Sequence, residues 1–117
     1  MNATRSCACS FCRAHATRTV SDPRGQAEVR ARDWSGVTRY RFGSGTADYL
    51  LCKTCGVYIG AVCQTGGRTW AVTNVNSLDE RAAFPPASSN PDHDGEPPEA
   101  RIARRAANWT PAILSGA

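Results

Sequence analysis

The residues with the most chemistry in this 117-residue chain are its cysteines. Cys7-Ala8-Cys9-Ser10-Phe11-Cys12 places three of the six within one short stretch, and Cys52-Lys53-Thr54-Cys55-Gly56 adds two more. Cys7 and Cys9 are two apart, so in extended chain their thiols point to the same side. Cys9 and Cys12 have the C-x-x-C spacing of a turn that brings two sulfurs onto one ion. Cys52 and Cys55 repeat that spacing, and Gly56 after them can take the positive φ such a turn often needs. Thiolates paired in this way, from distant parts of a small chain, suit tetrahedral zinc.

Six cysteines in a short chain also fit a disulfide framework or thiol redox chemistry. Against the first, Met1 to Ser6 is polar and has no apolar core of the kind a secretory signal carries. Against the second, no βαβ pattern surrounds Cys9 and Cys12. If the cysteines are ligands, two sharings are open. Cys7, Cys9 and Cys12 hold one metal with an open position while Cys52 and Cys55 hold part of another. Or Cys9, Cys12, Cys52 and Cys55 close a single site and Cys7 stands aside. A closed four-sulfur site is structural, whereas three ligands and a vacancy are reactive. Cys63 lies in an apolar run and reads as a buried core thiol.

Stepping from these residues to what must position them, the middle of the chain reads as short strands at close intervals, the mark of a small antiparallel sheet. Residues 26–31 are a weak strand. Residues 37–42 alternate, with Thr38, Tyr40 and Phe42 on one face and Val37, Arg39 and Arg41 on the other. Strands follow at 46–51, 57–63 and 68–76, the last two joined by a Gly66-Gly67 hairpin signal. Turns are expected at 21–25, 34–36 and 43–45, and residues 13–18 as a helical turn or loop. Residues 77–81 begin a short helix or turn. Residues 84–98, with five prolines and Asp92, His93 and Asp94, read as loop. Residues 99–108 form the one convincing helix. Pro97 and Pro98 suit its start, and Ile102, Ala106 and Trp109 form the face that packs on the sheet. Pro111 ends it, and a short tail is expected.

The length fits a single domain spanning 1–117 with a modest core that a metal would staple. The formal net charge of +4 comes from scattered arginines, too diffuse to suggest nucleic acid as a partner. No apolar run approaches a membrane span. Cysteines kept as ligands fit a reducing, cytoplasmic compartment.

The order Cys-x-Cys-x-x-Cys-Arg, then sheet, then Cys-x-x-Cys-Gly-Val-Tyr, then Asn74-Val75-Asn76-Ser77-Leu78-Asp79 resembles the glutathione-dependent formaldehyde-activating enzyme family, also called the centromere protein V family. The resemblance runs from Cys7 to about Trp109. It implies a mainly β, small antiparallel β-tent-type zinc-binding fold with one C-terminal helix. It implies that Cys7, Cys9 and Cys12 hold a catalytic zinc, and that Cys52 and Cys55 hold half of a structural one. The family's N-terminal Cys-x-Cys, which supplies the other half, has no counterpart among the residues before Cys7; a homodimer is one way to supply it. The implied reaction is that of a carbon–sulfur lyase, joining glutathione and formaldehyde as S-hydroxymethylglutathione or forming a related thiol adduct. The alternative is a non-enzymatic, zinc-stabilised binding module.

Glutathione's two carboxylates would need cationic partners, and arginine suits them. Arg13, beside the motif, is the first candidate for substrate binding, with Arg18, Arg39 and Arg41 behind it. His15 is a candidate proton carrier. Trp34, Trp70 and Trp109 read as packing anchors, and Asn74 and Asn76 as side chains that satisfy backbone groups at a strand end.

Overall fold

The computed structural model describes residues 3–41, 45–89, 91 and 95–116. The expected strand end at Phe42, the glycine break at 43–44 and the group Asp92, His93 and Asp94 lie outside them. The described chain is mainly β, with one main helix. In order it forms β1 (Thr4–Arg5), α1 (Ser10–Ala14), β2 (Thr19–Val20), β3 (Ala27–Ala31), β4 (Val37–Tyr40), β5 (Asp48–Cys52), β6 (Tyr58–Thr65), β7 (Arg68–Asn74), β8 (Ala87–Ser89), α2 (Pro98–Asn108) and β9 (Thr110–Gly116). Among the described residues no helix is long and apolar enough to cross a membrane.

The centre is the β6–β7 hairpin. Thr65 pairs with Arg68, which leaves a two-residue turn, and both turn glycines have positive φ, +58° and +73°. That is the backbone that matches strand twist. β5 and β4 extend the sheet antiparallel beyond β6. Beyond β7 the sheet divides. β2 pairs with the Thr73–Asn74 end of β7 and continues to β1 and β8, while β9 pairs with Trp70 and Ala71 and continues to β3. The β3–β9 and β1–β8 pairs are parallel, so the sheet is mixed where a wholly antiparallel one was expected.

Both faces of the central strands are covered, which is why Tyr58 to Cys63 reads as an unbroken apolar run. On one face Ala47, Ala61, Cys63, Trp70, Val72 and Trp109 pack together, with Ile102 and Ala106 of α2 against them, as the helix periodicity implies. On the other, Leu50, Val62 and Ala71 pack against Val29, Trp34, Val37, Ala112 and Leu114. Cys63 is the buried core thiol expected of it, at 1% exposure.

Two expectations fail for physical reasons. The expected tail belongs to a seven-residue strand, Thr110–Gly116, that includes Pro111. Proline has no N–H to give a ladder, but near the start of a strand it breaks only one bond. The proline-rich loop likewise contains β8, which pairs with β1. Strands of two or three residues, such as β1, β2 and β8, carry no periodic signal.

A β-bulge decides which face Tyr58 reaches. Leu50 pairs with Gly60 but Leu51 pairs with Tyr58, so Ile59 is the extra residue. The bulge shifts the alternation by one, and Tyr58 joins Ala61 and Cys63 on the α2 face. Gly60 is required there. A Cβ on it would lie 2.4 Å from the Val72 carbonyl oxygen, a backbone atom that cannot swing aside. We predict that Gly60→Ala destabilises the fold by about 1–3 kcal/mol, the usual cost of an overpacked site. An unchanged urea midpoint would show that the bulge tolerates a side chain.

Candidate metal centre

The first cysteine motif lies between β1 and β2. Its backbone is tied down on both sides. Ser6 and Ala8 donate their N–H groups to the carbonyls of Ser89 and Pro91, and Thr17 N–H donates to the Cys12 carbonyl. Ser6 Oγ donates to the Thr17 carbonyl, and Thr4 Oγ1 to the Pro85 carbonyl. Cys9 caps α1, its sulfur accepting the Cys12 N–H at 3.4 Å. Phe11 anchors that short helix to the sheet. Its ring centroid lies 4.9 Å from those of Tyr49 and Tyr58, and 4.2 Å from His15.

The result is that the sulfurs of Cys7, Cys9 and Cys12 all lie within 4.8 Å of one another. Among the described residues they form the one group of three or more cysteine, histidine or acidic side chains close enough to share an ion. Cys52 and Cys55 do not join it, so the single site made of Cys9, Cys12, Cys52 and Cys55 is not what the chain builds. Four-coordinate zinc with sulfur ligands at about 2.3 Å sets its sulfurs about 3.8 Å apart, so a modest contraction of this cluster accommodates it. Three thiols also suit other soft or borderline ions. Cys12 is buried, while Cys7 and Cys9 are half-buried. A hydrogen bond to Cys7, together with burial, pushes the Cys12 thiol far up, and burial raises that of Cys9. A metal that takes these sulfurs as thiolates must therefore displace protons.

The cluster opens into a pocket of about 70 Å³. Tyr49, Tyr58, Val72 and Trp109 line it, and so do four arginines, Arg5, Arg101, Arg104 and Arg105. Burial raises Tyr49 to about 12 and Tyr58 well above its usual value, so both hydroxyls keep their protons. Glu96 holds two of the arginines, 3.1 Å from Arg104 Nε and 3.6 Å from Arg101 Nε. Arg5 donates to Ser21 Oγ at 2.8 Å, and burial and then the neighbouring Arg104 lower its pKa.

Cys52 and Cys55 form a separate knuckle at the end of β5. Gly56, at φ +76°, donates its N–H to the Cys52 carbonyl at 2.8 Å. The Cys55 and Thr54 N–H groups donate to the Cys52 sulfur and lower its pKa. That is the shape of half a metal site, with no third ligand from the described residues.

No protein-family model and no curated protein matches the chain. Among solved structures, a Rhodobacter sphaeroides protein from a structural genomics programme is similar to it. That match covers 65% of this chain and 68% of the other, at 27% identity and a TM-score of 0.46.

The remaining expected residues fall as follows. Arg13 is exposed on α1 and does not line the pocket. Arg18 is structural: its guanidinium donates to Asn76 Oδ1 and to the carbonyls of Arg81, Phe84 and Pro85. Arg39 and Arg41 lie 3.6 and 2.6 Å from the buried carboxylate of Asp48. His15 is exposed, its Nδ1 against the Phe11 carbonyl at 2.9 Å. Asn74 Nδ2 donates to the Tyr58 carbonyl and Asn76 Nδ2 to that of Ala16, the role expected of them. The pocket arginines were missed, although Arg101, Arg104 and Arg105 at i, i+3 and i+4 share one helix face.

We predict that metal-free protein treated with iodoacetamide is modified at Cys52 before Cys12 and Cys63, because Cys52 has a lowered pKa and access to solvent whereas the other two are buried. Peptide mapping at short times reads the order. Early labelling of Cys12 would mean that the first cluster is looser than its packing implies.

Proposed function

We propose that Cys7, Cys9 and Cys12 hold a zinc ion, and that the chain is a carbon–sulfur lyase. Its reaction would be that of a glutathione-dependent formaldehyde-activating enzyme, or the equivalent with a related thiol and aldehyde. The observation that carries this reading is the placement of three sulfurs, and no fourth protein ligand among the described residues, in the wall of a pocket. Four sulfurs would leave nothing for a substrate to do at the metal, whereas three leave a position for one. The resemblance of the two cysteine motifs and of residues 74–79 to that family supports it as well.

When bound, zinc would lower the pKa of an incoming thiol and hold it as thiolate. The chain's own residues do the rest. As thiolates, Cys7, Cys9 and Cys12 would leave a divalent ion with one net negative charge, which favours exchange of thiols at the metal over activation of a carbonyl. In the addition, a carbon–sulfur bond forms, the carbonyl π bond breaks, and the proton given up by the thiol ends on the new hydroxyl. Tyr49 and Tyr58, protonated in the pocket wall, can donate hydrogen bonds to that oxygen. Val72 and Trp109 supply an apolar side that limits water.

The second reading is a zinc-stabilised binding module, and the Cys52–Cys55 knuckle favours it. That knuckle is shaped for a metal and needs two more ligands from outside the described residues. A second copy of the chain is one source.

The test is metal content followed by turnover. Protein purified without chelator should carry about one zinc per chain. Cys7→Ser and Cys12→Ser should lose it and lose turnover of glutathione with formaldehyde by about a hundredfold or more, whereas Cys52→Ser should keep that ion. Zinc should also be released as pH falls, because thiols with raised pKa values recapture protons readily. Full turnover in Cys12→Ser would overturn the lyase reading. Zinc retained with no turnover would leave the binding module.

A further inference from the structure

Among the described residues the charges in the pocket are out of balance. Four guanidiniums line it, Arg5, Arg101, Arg104 and Arg105, and Glu96 is the carboxylate paired with any of them among the described residues. Glu96 serves Arg104 and Arg101. Arg105 is the extreme case. It is only 4% exposed, yet no acidic side chain among the described residues pairs with it. Its Nη1 donates to Thr46 Oγ1 at 2.6 Å, its guanidinium carbon lies 5.0 Å from the centroid of the Trp109 ring, and its Nε has no hydrogen-bond partner among the described residues. Burying a charge without a counter-charge is costly, and buried cations are normally paired. Three thiolates around a divalent cation would carry one net negative charge, which offsets only part of this excess.

We propose that this wall is a carboxylate-binding subsite centred on Arg105, with Arg5 in the same lining, and that the substrate acting at the cysteine cluster is an acid. The inference rests on the thiol–aldehyde reading for what happens at the sulfurs, but it narrows the substrate class. The arginines share one pocket with the cysteine cluster, so the carboxylate belongs to the same small molecule that reaches the sulfurs. Arginine suits this role because its planar fork matches a carboxylate and never loses its charge. Stacking on Trp109 holds the guanidinium plane in place before a ligand arrives, so less order is lost on binding. A neutral substrate would leave the Arg105 charge as uncompensated as it is without one.

The test compares matched acids and amides on the folded chain. Propionate and propanamide, titrated against tryptophan fluorescence and side-chain Nε–H resonances, report the subsite alone. 3-Mercaptopropionate and 3-mercaptopropanamide, titrated against the visible spectrum of cobalt-loaded protein, report the subsite and the thiol position together. In the wild-type protein each acid should bind about tenfold or more tightly than its amide, the scale of a charge-assisted hydrogen bond. In Arg105→Gln that ratio should fall to near one while the affinity of the amides holds. Arg5→Gln should lower the ratio about threefold, and it serves if Arg105→Gln fails to fold. Equal binding of acid and amide by the wild-type protein would overturn the proposal without any variant. A preference for propionate with no cobalt response to either thiol would uphold the subsite and overturn the thiol reading instead.

Discussion

Three sulfur atoms within 4.8 Å of one another form the constraint around which this chain is arranged. As thiolates they would repel one another strongly in a half-buried wall, and as thiols they make only weak hydrogen bonds. Neither state explains why so much backbone is spent on holding them. The segment that carries them is tied to residues 85, 89 and 91 on one side and to Thr17 on the other. Phe11, inside the motif itself, locks α1 into a cluster of three tyrosines and a histidine. A cation among the sulfurs would turn their mutual repulsion into joint attraction, and the surrounding ties would hold three ligands ready for it.

The rest of the fold serves that wall by covering the sheet twice. Cys63, Trp70 and Val72 bury one face under α2, and Leu50, Val62 and Ala71 bury the other under β3 and β9. With both faces apolar, the central hairpin becomes a rigid floor. The helix lies on it with Ile102 and Ala106 facing down, which leaves Arg101, Arg104 and Arg105 at the pocket rim and wall. The same helix therefore carries part of the core and most of the charge. Arg105 shows how closely the two are joined, since its guanidinium lies over the buried Trp109 ring and also lines the pocket.

Much of this was legible in the sequence, and the failures have local causes. The hairpin was readable because two glycines interrupt an apolar run, and the helix because Ile102, Ala106 and Trp109 repeat at its period. The cysteine cluster was readable from spacing alone, although spacing left two sharings open and only the fold separates Cys52 and Cys55 from the first motif. Strand β9 was not readable, because Pro111 argues against a strand unless its position at the edge of the pairing is known. Tyr58 was legible as buried but not as a pocket residue. Strict alternation groups it with Val62, and a single bulged residue, Ile59, reverses that. The arginine wall was hardest, since Arg5 and Arg105 lie a hundred positions apart and only the packing of α2 across the sheet brings them together.

Arg13 and Arg105 differ most in burial. Arg13 follows the motif directly, but a residue one place beyond Cys12 on a short helix points away from the sulfurs, and it is exposed. An exposed arginine pairs with water at almost no cost and offers a substrate little net gain. Arg105 has already lost most of its water to folding, so a ligand that brings a negative charge meets a cation whose desolvation has been met by the fold and not by the ligand. Binding strength at such a site comes from the order in which costs are incurred: the chain desolvates and orients the guanidinium once, on folding, and every later ligand benefits. By this reasoning, residues that would select a ligand should be sought among buried charges without partners, and not among those nearest the cysteine cluster along the chain.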